Sequence, residues 1–177
     1  LVADGRLGRL LSAEAVFVTA SVAVRDARNH LFSSERHGHG ILHWLGCHWV
    51  DALLWISGEQ IVEVQATSAN VLGADIDVED AISVAFRFSG GGLGTMHFVN
   101  AFPRPNSDGY LAFRGIDASA KVDTSGALTI VGPGSRENPL RSEVHQYDFF
   151  DPGGYGPSST VAIDRLLTAI RNDTPVP

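Results

Sequence analysis

One cysteine in 177 residues, Cys47, leaves no partner for an internal disulfide, so nothing in the composition calls for an oxidising compartment. Lysines and arginines never stand side by side, and the formal net charge is −7. Without a series of cations to neutralise successive phosphates, nucleic acid is not an expected partner. Long apolar runs are missing too. The stretch from Ile41 to Ile56 is interrupted by His43, His48 and Asp51 and is too short to cross a bilayer as a helix, so no membrane contact is expected. No charged and apolar leader is readable, and a cytoplasmic location is expected. Absent as well is Gly-x-Gly-x-x-Gly between a strand and a helix. Gly90-Gly91-Gly92-Leu93-Gly94 has the glycines but reads as a turn joining two strands, so no cofactor-binding residue is expected in this chain.

What remains is ordinary material for one domain over 1–177. The mass is 18.9 kDa and the hydrophobic fraction 44%, enough for a sizeable core. The opening Leu1-Val2-Ala3-Asp4-Gly5 reads like a last helical turn closed by glycine with no N-cap before it, which predicts a piece of something longer. Leu11 to Val24, rich in valine, alanine and threonine, predicts a first strand. Residues 25–40 mix charges, histidines and two glycines and predict an irregular excursion, where function often sits. Ile41 to Ser57, apolar on nearly every face and stopped by Gly58, predicts a buried helix packed on both sides.

Period-two alternation then predicts strands at Ile61–Val71, Ala81–Phe88 and Leu93–Phe102, the last two forming a hairpin about the glycine turn. Shorter strands follow at Gly109–Ile116, Ala118–Asp123, Ala127–Val131 and Val144–Phe149, most simply arranged as an antiparallel meander. Ser158 or Ser159 caps a final helix running to about Asn172. The sum is an α+β fold, a largely antiparallel, mixed open β-sheet with helices packed on one face.

Five of the seven histidines fall between His30 and His48, and two of them, His43 and His48, lie inside the apolar helix with Asp51. An imidazole taken out of water must find hydrogen-bond partners or perform a task that repays its desolvation. The surrounding residues run Gly38-His39-Gly40-Ile41-Leu42-His43-Trp44-Leu45-Gly46-Cys47-His48-Trp49-Val50-Asp51, closing on Gly58-Glu59. This resembles the C-terminal domain of the Gfo/Idh/MocA oxidoreductases, with its glycine-rich entry, its helix pattern Gly-x-His-x-x-Asp and its closing Gly-Glu before a strand. Gly46, His48, Asp51, Gly58 and Glu59 match. Asp4 to Arg9 is similar to the family's linker and Gly115 to Asp123 to its late strand pair, so the likeness spans nearly the whole chain.

The resemblance implies a two-domain enzyme. A Rossmann half outside this chain would hold NAD or NADP and contribute the family's lysine, and a final C-terminal segment is also expected to be missing. This domain would hold a sugar, inositol or related polyol, with no cofactor bound to the chain alone, no turnover by it, and homo-oligomers formed through the β-sheet face. The family's helix histidine, matching His48, acts on the substrate hydroxyl, a role that suits imidazole near neutral pH. Relatives often carry an aspartate four residues earlier, where this chain has Trp44. That position is left either a pocket wall for a sugar ring or a core residue. His43, about 100° further round an α-helix, does not replace the carboxylate without a change in geometry.

Asp51 either orients His48 or receives a hydrogen bond from a loop. Arg25, His30, Arg36 and His37 in the preceding loop, and Arg104 between Pro103 and Pro105, offer donors to substrate oxygens. Two rival readings compete. A His39, His43 and Cys47 spacing of four suggests a metal-binding domain, although Gly38 and Gly40 argue against a helix reaching back to His39 and no metal ligand is assigned. A broad sheet also suits a non-catalytic assembly module or pseudoenzyme.

Overall fold

A computed structural model describes residues 2–72, 75–101, 108–133, 141–147 and 156–175, the side chains of residues 23, 24, 37 and 156–158 excepted. Arg104 and the far end of the Val144–Phe149 prediction lie outside them. Eight strands form one sheet: β1 Leu10–Val18, β2 Ile61–Ala69, β3 Ala81–Phe88, β4 Leu93–Val99, β5 Asp108–Gly115, β6 Ser119–Asp123, β7 Ala127–Val131 and β8 Ser142–Gln146. Their order is β2-β3-β4-β1-β5-β6-β7-β8.

Every neighbouring pair is antiparallel except β1 with β4, which run parallel. The meander expected of the shorter strands is present as β5-β6-β7-β8, each pair antiparallel, and the first strand is inserted between β4 and β5, which splits the later strands into two groups. The α+β open mixed sheet holds.

Alternation puts the core on one face. Along β3, Ile82, Val84, Phe86 and Phe88 are buried while Ser83, Ala85 and Arg87 face out. Ala13, Ala15, Met96, Phe98, Leu111 and Phe113 continue the buried layer. Over it lies α3, Cys47–Ser57, whose Leu53 is fully buried and whose Trp49 ring sits 5.1 Å from that of Phe17. Gly58, in a left-handed conformation at φ 65°, ends the helix, a backbone state that costs glycine little.

Two elements differ from the sequence prediction. The first strand stops at Val18, and residues 21–24 form a short helix, α1. The Thr19 and Val22 amides bond to the carbonyls of Val99 and Asn100, and Val22 leaves the sheet for a satellite core with Phe32 and Val78. The helix predicted over Ile41–Ser57 is not packed on both sides. It begins with a π-helical turn over Leu42–Gly46, and His48, Asp51 and Trp55 on α3 are exposed.

The last helix, α4 over Gly156–Asn172, keeps its predicted apolar face, with Ile163 and Ile170 more than half exposed. No helix among the described residues is long and apolar enough to cross a membrane.

Candidate functional site

The site is built where the N-terminal half of the 42–57 helix crosses the C-terminal end of β1. Gly46 makes the crossing close. A Cβ there would lie 3.0 Å from Leu42 Cδ1 and 3.2 Å from the Phe98 ring, so this glycine lets the helix settle onto β4. At the other end Glu59 accepts hydrogen bonds from Ser89 Oγ at 2.7 Å and the Gly90 amide at 2.6 Å. The Gly-Glu pair thus ties the end of α3 to the β3–β4 turn.

Between these anchors the outer face of α3 is open. His48 is exposed and has no hydrogen bond, ion pair or ring contact among the described residues. Asp51 is exposed as well, and no hydrogen bond joins it to His48 among them. Trp44, half-buried, precedes His48 by about one turn on the same side. The guanidinium of Arg25 lies over its ring, 5.3 Å from the centroid.

His43 is exposed, with the His39 ring edge-on at 5.9 Å. Because a π turn closes i to i+5 and not i to i+4, it turns His43 toward the His48 face more than a regular α-helix does.

His30 is exposed in a 3₁₀ turn over His30–Phe32 and makes a contact of its own. The structure thus brings Arg25 onto Trp44, one helical turn before His48, and sets His43 against His39. Among the described residues no three His, Cys, Asp or Glu side chains converge as metal ligands do.

Sequence reasoning missed what orders the excursion. Ser34 opens α2, Ser34–His37, and gives its amide to Asp77 at 2.7 Å and its hydroxyl at 2.8 Å. Those two bonds hold the Asp77 carboxyl below the usual carboxylate range, the backbone one contributing most. Asp80, fully buried, accepts the amides of Val71 and Leu72. The available signal was the acidic run from Asp75 to Asp80, which looks like solvated surface when read alone.

An apolar cavity of about 590 Å³ lies elsewhere, under Trp55 and Ile56 against Leu111, Phe113 and Leu128. Its lining is too poor in donors and acceptors to orient a hydroxylated ligand, so the polar face at His48 is the better candidate.

A family model described as the GFO/IDH/MocA C-terminal domain matches residues 1–121. The chain belongs to this family. Gfo/Idh/MocA architecture is also what its fold resembles among solved structures. An oxidoreductase domain protein from Kribbella flavida superposes with a TM-score of 0.80 at 20% identity, over 99% of this chain and 53% of that one. A levoglucosan dehydrogenase bound to NADH and levoglucosan gives 0.80 at 18%, over 98% and 52%. An aldose-aldose oxidoreductase from Caulobacter crescentus, complexed with glycerol, gives 0.74 at 16%, over 99% and 50%.

No match was found among curated protein sequences. The chain spans about half the length of the solved relatives.

The dinucleotide associated with such relatives needs backbone amides gathered at a glycine-rich turn before a helix. Gly90-Gly91-Gly92 joins two strands instead, and the Gly90 amide is taken by the Glu59 carboxylate, whose charge would repel a pyrophosphate. This turn of the Gfo/Idh/MocA domain does not fit the cofactor's phosphates.

Proposed function

We propose that this chain is the substrate-binding half of a cytoplasmic NAD- or NADP-dependent dehydrogenase acting on a sugar, inositol or related polyol. In this reading the cofactor is held by a Rossmann half outside the chain. His48 accepts the proton of the reacting hydroxyl, and the hydride acceptor comes from that other half. The reading is carried by one observation, an imidazole on the open face of α3 with no partner among the described residues. Such a group is free to accept a hydrogen bond from an incoming hydroxyl. In this reading Trp44, one turn before His48, seats the Arg25 guanidinium beside the site, His43 and His30 are further candidate substrate contacts, and Asp51 stands a turn along the helix as a support.

The test uses the chain joined to its cofactor-binding half. Replacing His48 by alanine is expected to lower kcat by about a hundred- to ten-thousand-fold, read as nicotinamide absorbance. The 177-residue chain alone is expected to give neither turnover nor heat when titrated with NAD or NADP. Unchanged turnover in His48→Ala would remove the residue from the reaction. It would favour the second reading, a non-catalytic assembly module, for which Trp44 in place of the family's aspartate is the specific argument.

Assembly itself is proposed through the uncovered sheet face. Rows such as Gln65-Ala85-Thr95-Glu14 cross four strands there, with Gln65, Ala85 and Thr95 exposed among the described residues. A second copy of the chain would cover them, forming a homo-oligomer.

A further inference from the structure

Resting on the reading of His48 as the reacting end of a substrate site, we infer that the ligand bound there carries a carboxylate, an acidic rather than a neutral sugar or polyol. Trp44 does not present a free ring for a sugar to stack on, because the Arg25 guanidinium covers it at 5.3 Å. Stacking of this kind holds a guanidinium plane without consuming its N–H donors. Among the described residues those donors meet no carboxylate; the same holds for Arg9, Arg36, Arg141, Arg165 and Arg171, and what sets Arg25 apart is its seat over Trp44, one turn before His48. Its sequence neighbour Asp26 is taken by Arg28 at 2.9 Å, and that contact holds the Asp26 carboxyl below the usual range.

The wider setting agrees in sign. Residues 25–40 carry three arginines against two acids, besides their histidines, within a chain whose net charge is −7. The excursion is therefore a local cationic lip on an acidic molecule, and it approaches the helix at the turn before His48. A fork of N–H groups set over an aromatic ring matches the two oxygens of a carboxylate.

A phosphate is the poorer match. Phosphate sites commonly gather backbone amides at a helix N-terminus, and here α3 continues from the π turn, so its first amides are not left open. The geometry gives one cation for one negative charge. Trp44 then acts by holding Arg25 in place, and the loss of the family's aspartate at that position removes a charge that would repel the ligand.

The experiment is a titration of the 177-residue chain, followed by the NMR signals of the Arg25 Nε–H and the Trp44 indole N–H. The probes are D-glucuronate, D-glucose and D-glucose 6-phosphate. Glucuronate is expected to shift both signals saturably and to bind about ten- to a hundredfold more tightly than glucose, the range of a hydrogen bond to a charged group. Arg25→Gln should erase that preference, while Arg25→Lys, which keeps the charge and loses the fork, should retain a part of it. Arg25 is exposed, so neither variant disturbs the core.

Equal binding of glucose, tighter binding of the phosphate, no saturable shift with glucuronate, or a preference that survives Arg25→Gln would each overturn the inference. Failure of the His48 reading shows elsewhere, as unchanged turnover in His48→Ala, and leaves the glucuronate titration to stand or fall on its own.

Discussion

Asp77 shows how one residue can organise a loop that looks unstructured in sequence. Its carboxylate receives both the amide and the hydroxyl of Ser34. Its pKa is therefore lowered, by the backbone bond first and the hydroxyl bond second. A carboxyl whose folded pKa lies below its unfolded value stabilises the fold above the unfolded pKa, about 4. That contribution disappears as the pH falls through the lower folded value. The α2 start should accordingly lose amide protection at Ser34 only in acid, below the ordinary carboxylate range. Hydrogen exchange at a series of pH values checks this, and Asp77→Asn should remove the pH dependence. His48 contrasts with it. The residue type was legible from Gly-x-His-x-x-Asp, while its freedom from partners was not, because a sequence carries no side-chain directions.

At the level of elements, alternation was a good guide where one face alone is buried. β3 over Ala81–Phe88 and β7 over Ala127–Val131 have the predicted limits, since a period of two is readable only in half-buried strands. It failed at residues 19–24, where valine and alanine suit a strand or a short helix equally and remote bonds to Val99 and Asn100 decide. It also failed at the π turn, which leaves no mark in composition. The turn's position matters because it ends at Gly46, pressed against a fully buried Phe98 that has no room to yield. Although alanine suits a helix better than glycine, by about 1 kcal/mol, overpacking here costs about 1–3 kcal/mol. Gly46→Ala should therefore be destabilising by about 1 kcal/mol, read as a lower denaturant midpoint at unchanged slope.

At the scale of the molecule, the polar face of the sheet is exposed among the described residues. Glu63 pairs with Arg87 and Glu14 with Arg114 across it, and Lys121 lies over the Tyr110 ring at 4.2 Å. Burial and the nearby Glu14 charge raise the Tyr110 pKa. Exposed pairs of this kind contribute little alone but fix register against a second copy. If that face is an interface, Thr95→Arg, in its middle rows, should halve the mass seen by sedimentation equilibrium while leaving the circular dichroism unchanged. A mass that does not move would place any assembly elsewhere.

The seat of β1 between β4 and β5 has a consequence for synthesis. When Leu10–Val18 leaves the ribosome, neither Leu93–Val99 nor Asp108–Gly115 has yet been made. At about 5–20 residues per second, that delay is on the order of ten seconds, whereas a hairpin closes in about 1–10 μs. The β3–β4 hairpin thus closes almost as soon as it emerges, and until then a nascent Ala13, Ala15 and Phe17 face must wait unpaired, a ready target for chaperones during translation.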